Sequence, residues 1–413
     1  MKTTPVQAAV LIALIAMMAH ADTFTWDGGG TDNNWATAAN WNPDGAPAAD
    51  GTAVLSFVGG TRTAAANNFS EDTVFAGINL LNDGTSGKTA AFTLSGTRLT
   101  LGGNITSTAA SSAVTDTLSL PLLLNAARTI TVNNNHHLTV SGVIGETGGS
   151  WGLTKGGGGN LTLNGANTYT GPTTLGGGQV YFNSIKNIGE GASSFGAPDS
   201  LESGTLTTSS RLSYTGATTT TDRPFVFTAA SLNWDISNSG TTLTLNGVIK
   251  GTNMGPLFRG GGNFVVNGLV DIGSAGVTRT DNGTVYLNCP TNAFTGNIQV
   301  SAGTISITNI ADSGVVCPIG KGNTITVGQN GWFTTGRFRF AGPDGGSCNR
   351  AIRVETTTNS LVHGGIIESA VAGKTLLLSG TVAPGSSSTA RTPRLQLVGR
   401  SEEHTSELQS RQV

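Results

Sequence analysis

The chain has 413 residues, with 60 glycines, 11% charged residues and a formal net charge of −2. So few charges, against about 25% in ordinary domains, exclude a charged disordered polymer and give no general attraction to nucleic acid. Three cysteines exclude a disulfide-built scaffold, and the Gly, Thr, Asn and Ser that crowd the rest suit short strands joined by tight polar turns.

Taken in chain order, the first element is an export signal. Lys2 precedes an almost unbroken apolar run from Val6 to Met18, and Ala19-His20-Ala21 has the small-x-small form of a cleavage site. The run is too short to span a bilayer, so residues 1–21 are expected to be a secretory signal peptide. Residues 22–60 form a segment rich in Trp, Gly and Asp, expected to cap the fold. Here Trp26, Trp35 and Trp41 seal the first layer or stack on sugar rings. Asp27, Asp32, Asp44 and Asp50 stand among Gly and Asn, a setting for a calcium loop, but their spacing fits no EF-hand. A solvated cap loop is the expected reading.

From residue 61 to 399 the apolar residues alternate. Ile130/Val132, Leu138/Val140, Leu161/Leu163, Leu243/Leu245, Val285/Leu287, Ile298/Val300, Ile305/Ile307, Ile325/Val327, Phe338/Phe340, Ile352/Val354 and Leu376/Leu378 each flank one other residue. Period two puts each pair on one face of a strand. After residue 21 no window keeps a capped helical stripe, so an all-β fold is expected. His136-His137 reads as a turn rather than a metal pair, because adjacent strand residues point to opposite faces. Gly156–Gly159, Ser86-Gly-Lys-Thr89 and Ala372-Gly-Lys-Thr375 lack the spacing of a phosphate-binding loop.

Repeats decide the architecture. Gly152 to Val180 recurs in weaker form from Arg279 to Ile305: Tyr169-Thr-Gly171 matches Phe294-Thr-Gly296, Leu175 matches Val300 and Gly178 matches Gly303. Related fragments start at Leu138, Leu243 and Leu376, and Arg394–Gly399 resembles Asn160–Gly165. Degenerate β-repeats of a few tens of residues define a solenoid or a propeller. The absence of blade signatures and of a regular period favours the solenoid, in which each coil is stable only against its neighbours.

The stretch around Leu153, Lys155, Leu161, Leu163, Gly165, Asn167, Tyr169, Gly171, Thr173, Leu175 and Gly178 resembles the autotransporter-associated β-strand repeat, or passenger-associated transport repeat. Phe294, Gly296, Val300 and Gly303 carry the likeness into the second copy, where Arg279 stands for Lys155. The opening Trp26–Trp41 is similar to the start of large exported proteins with these repeats. The resemblance implies a right-handed parallel β-helix of pectin-lyase-like shape, secreted or held at a bacterial surface, with a translocating barrel or sorting anchor further on. Arg400–Ser410 resembles a translated sequencing adapter, so residues 400–413 are expected to be an artefactual tail on a truncated frame.

The functional expectation is a non-enzymatic, adhesin-like surface scaffold without cofactor or metal. Its expected partners are surface polysaccharides or other cell-surface polymers, not nucleic acid, and no further segment is long and apolar enough to span a membrane. The alternative is a β-helix that binds or cleaves polysaccharide. Cleavage needs convergent carboxylates, and the candidates are scattered: Asp199, Glu202, Asp235, Asp271, Asp281, Asp312, Asp344, Glu355 and Glu368. Arg337, Arg339, Arg350 and Arg353 form the densest basic group and read as solvated strand positions. Export makes one disulfide among Cys289, Cys317 and Cys348 feasible.

Overall fold

A computed structural model describes residues 22–82, 90–109, 114–229, 233–328, 335–355, 364–385 and 395–399. Residues 1–21, expected to be a signal peptide, Ser86–Thr89 and the expected artefactual tail 400–413 lie outside the described residues.

The alternating pairs become strands, and the strands stack as parallel coils. Each of the first coils runs through three faces in turn. The first face is a sheet of 12 strands, the second a sheet of 14, and the third a sheet of 4 followed later in the chain by a sheet of 8. Among the described residues every strand pairing between coils is parallel; the antiparallel pairing of Trp26 with Trp41 closes the start, and an isolated antiparallel bridge joins Asn167 to Ser193. The result is a parallel β-helix. Between Leu243 and Leu287 the coils are regular: Leu243, Phe264 and Val285 lie in register. Asn246, Asn267 and Asn288, spaced 21 residues apart, bond amide to amide at 2.9 and 2.8 Å.

Stacking in register turns period two into a single interior. One hydrophobic cluster runs from Trp26 through Leu138, Leu161, Phe258 and Phe338 to Ile367. At about 25 cal/mol per Å² of apolar surface removed from water, this spine is the principal favourable term. Leu376 and Leu378, at the far end, are only half-buried. The first coil is closed by aromatic packing: Trp26, Trp35 and Trp41 are wholly buried, and Trp26 meets Trp41 edge-on at 5.1 Å. Their burial leaves no ring face for a sugar. The Asp32 carboxylate accepts from the Asn34 backbone N–H, the Asn34 and Asn40 amides and the Thr37 hydroxyl, which hold its pKa below the usual range.

Two expectations need correction. The turn before the histidines is made by Asn133–Asn135, with Asn135 at φ +64°, and His136–Val140 is a strand. His136 points inward, where its Nε2 lies 2.9 Å from Oδ2 of Asp116 on the preceding coil. Asp116 is only 2% exposed, and its other oxygen accepts from the Phe92 N–H. The acidic partner that the local sequence lacked is supplied by stacking. Arg350 is likewise no solvated position, since it is 1% exposed and bonded to backbone carbonyls. Cys289, Cys317 and Cys348 are buried free thiols.

Candidate functional site

The repeat residues assemble into a corner. Leu153–Gly156 and Thr173–Leu175 lie side by side on one face, with Asn160–Leu163 and Gln179–Phe182 beside each other on the next. Leu153, Leu161, Leu163 and Leu175 point into the core. Between the two faces the chain turns through glycines. Gly178 has φ +60°, and a Cβ there would lie 2.1 Å from the Gly159 carbonyl oxygen; Gly303 has φ +65°, with the Asp281 oxygen at 2.0 Å. Both positions therefore require glycine. Gly171 and Gly296 press equally close on the preceding coil, at Trp151 and Ala275, and Gly165 lies against Gly142.

The corner is braced from within by a cation. Lys155 Nζ donates to the carbonyls of Gly157, Gly176 and Gly177 at 2.7, 3.1 and 2.8 Å, with Gly156 at 3.4 Å. Orphan carbonyls at a tight corner need donors, and one ammonium serves two coils. Gly156 and Gly157 thus present carbonyls to a cation; they are not an anion cradle. Burial pushes Lys155 down to about 8, while the carbonyl dipoles favour its charged form. Arg279 does the same in the second copy. Its Nε donates to Gly283 at 3.0 Å and its Nη2 to Gly260, while burial lowers its pKa to about 10.

Asn167 clips three coils together. Its Oδ1 accepts from Ile144 N–H at 2.8 Å and its Nδ2 donates to the Ser194 carbonyl at 2.7 Å. Asn292, which the sequence reading missed, does the same with Val270 N–H and the Pro318 carbonyl at 2.9 and 2.8 Å. The signal was present, since Asn292 stands two residues before Phe294 as Asn167 stands two before Tyr169. Tyr169, fully buried and pushed up to about 12 by burial, shares a 2.8 Å hydrogen bond with Thr173. The second copy replaces both with the apolar Phe294 and Ile298, so the two polar groups disappear together.

After each copy a long loop leaves the lattice and is tied back by a buried arginine from a later coil. Arg223 donates to Gly204 and Phe195 carbonyls at 2.7 and 2.8 Å. Arg350 donates to Ala311 and Gly320 at 2.9 and 2.7 Å. The copies differ in phase: the first spans faces one and two, whereas 277–279 and 298–300 lie on the second face and 284–287 and 303–307 on the third.

The outward side of the second face is polar. His137 stacks on Tyr181 at 5.5 Å and shares a 2.7 Å hydrogen bond with Thr162. Further along the same face is a groove of about 400 Å³ lined by Arg211, Asp235, Arg259 and Asp281, with Gly260 and Gly261 at its floor. Arg259 Nε lies 3.5 Å from Asp281, whose carboxylate also accepts from Gly260 N–H at 2.8 Å. The Asn233 amide, oriented with its oxygen toward Arg211, accepts from Nε and Nη2 at 2.8 and 3.1 Å. Of the scattered carboxylates, stacking brings Asp235 and Asp281 to one groove, with guanidinium groups beside them. Arg337 and Arg339 converge on Glu368 at 2.7 and 3.7 Å.

Stacked coils, a continuous core and a recurring glycine corner with a buried cation define a parallel β-helix repeat protein. The two corners fall within the stretches, residues 153–180 and 277–307, that the family model of the passenger-associated transport repeat matches. The chain is also similar to the adhesin BmaC autotransporter of Brucella suis biovar 1 (strain 1330). The two are 30% identical over 185 residues, covering 44% of this chain and 5% of that protein. The aligned part thus spans about a twentieth of the relative's length. No solved structure matches the chain.

Proposed function

We propose that this chain is part of an exported passenger, a surface scaffold of adhesin-like character that works without catalysis. The observation that carries the reading is the unbroken core beneath parallel ladders from Trp26 to Ile367. Such a rod gains stability from each added coil and presents long columns of side chains at one coil spacing, about 4.8 Å. The repeat and the likeness to an autotransporter adhesin support a place at or beyond the cell surface. The apolar run of residues 6–18 supports entry into the export route through a cleaved signal.

The test is display. Expressed in a Gram-negative host with a translocating barrel fused to its C-terminus, the chain is expected at the surface, accessible to external protease, and to raise attachment of the cells to coated substrata. Deleting residues 2–21 is expected to hold it in the cytoplasm. Normal display without the signal, or display with no gain in attachment, would overturn the reading.

A further inference from the structure

We propose that the groove lined by Arg211, Asp235, Arg259 and Asp281 is a binding subsite for a neutral, polyhydroxylated glycan lying obliquely across four coils. The inference deepens the adhesin-like reading, on which its biological sense rests, by naming a site and a ligand class.

Three features of the groove point there. Its charged residues come from four successive coils, Arg, Asp, Arg, Asp in chain order: Asp235 and Arg259 are direct register partners, Arg211 stands two residues before Ser213, the partner of Asp235, and Asp281 follows the strand that ends at Arg279. Asp235 and Arg259, in register, stand one coil apart, about 4.8 Å between backbones, and Arg211 and Asp281 flank them obliquely on the outer coils. Alternating guanidinium donors and carboxylate acceptors suit sugar hydroxyls, which both donate and accept. With two carboxylates and two guanidiniums the groove has no net charge to draw a polyanion or a polycation, and its charged walls give a lipid or apolar peptide little to bury.

The site is also preorganised. Asn233 holds the Arg211 guanidinium, and the Ser237 hydroxyl donates to Asp235 at 3.1 Å. Asp281 is held by the Gly260 N–H, and its 3.5 Å contact with Arg259 is a solvent-exposed ion pair, 39% and 41% exposed. Exposed pairs of this kind contribute little, so a ligand can replace that contact cheaply. Gly260 and Gly261 add no side chain to the floor, so a sugar ring can approach the backbone. That floor is braced from inside by Arg279, whose Nη2 donates to Gly260 and Gly262. Arg279 is thus a positioning residue, and the repeat corner builds the groove above it.

The experiment measures binding of the purified full chain to immobilised glucan, galactomannan and xylan, with heparin, polygalacturonate and denatured collagen as competing classes. The expected result is saturable binding to at least one neutral glycan. It should weaken at least tenfold in R211A/D235A and in R259A with unchanged melting temperature, and stay unaltered in the distant surface variant R98A. Arg279→Met is expected to lose binding, and Arg279→Lys, the residue of the first copy, to restore it. Absence of neutral-glycan binding, binding indifferent to the groove variants, or binding to heparin or collagen alone would overturn the proposal. Because purified protein is used, this outcome is independent of display: attachment that survives R211A/D235A on the cell surface refutes the groove and leaves the surface reading intact.

Discussion

Replacing Asn167 with alanine tests whether the repeat acts as a clip between coils. The side chain is buried, and its amide is spent on two buried backbone groups, the Ile144 N–H and the Ser194 carbonyl. Alanine leaves both without that partner. Each stranded group costs about 1–3 kcal/mol, so the local loss is about 2–6 kcal/mol. In a solenoid the damage stays near the altered coil, which makes the second copy an internal control. Hydrogen exchange read residue by residue is the assay. The Ile144 amide is expected to exchange at least about 30-fold faster, the equivalent of the lower bound, while Val270, clipped by Asn292, is unchanged. Asn292→Ala should reverse the pattern. Asn167→Asp keeps the acceptor but loses the donor to Ser194, so it should be at least as damaging. Unchanged protection at Ile144, or an equal loss at both sites, would refute the reasoning.

Lys155→Met should cost about 2 kcal/mol or more by stranding carbonyls, whereas Lys155→Arg should be nearly neutral, as Arg279 already fills the matching corner; urea midpoints of the two variants decide it. Tyr169 is raised from 10.0 to about 12 by burial, so between those values the unfolded chain releases a proton that the folded one keeps. Its contribution is complete below pH 10 and is lost as pH rises toward 12, by about 2–3 kcal/mol, so Tyr169→Phe should flatten that alkaline limb of stability against pH. Gly303→Ala should cost at least about 2 kcal/mol through left-handed strain and the clash with Asp281, whereas Gly314→Ala, at φ +85° with open space around it, should cost only about 1–2 kcal/mol; thermal melts of the pair separate clash from strain.

Much of the lattice was legible because its signals are local. Alternation at Leu161/Leu163 or Val285/Leu287 marks the buried face of a strand whatever lies beside it, and a repeated glycine at 178 and 303 marks a corner. The site was less legible. Asp116 lies a whole coil from His136, and Arg350 reads as one of four surface arginines until the loop it ties down is seen to fold over it. Asn292 did carry a local signal, the same Asn-x-aromatic-x-Gly spacing as Asn167. The groove joins four residues spread from 211 to 281, of which only Asp281 lies within a repeat copy.

By itself the sequence determined that the body of the chain is almost entirely β, that it repeats, and which side of each strand is greasy. These follow from period two and from steric demands on single residues. Only the tertiary structure decided the phase: the same repeat lies on the first two faces at residues 153–182 and on the second and third at 277–307. A strand's own pattern specifies its inner side but not which side of the prism it joins, since that depends on how many strands and loops precede it. Ion pairs, carbonyl cages and the outward columns all depend on that phase, because they form between residues adjacent only through stacking.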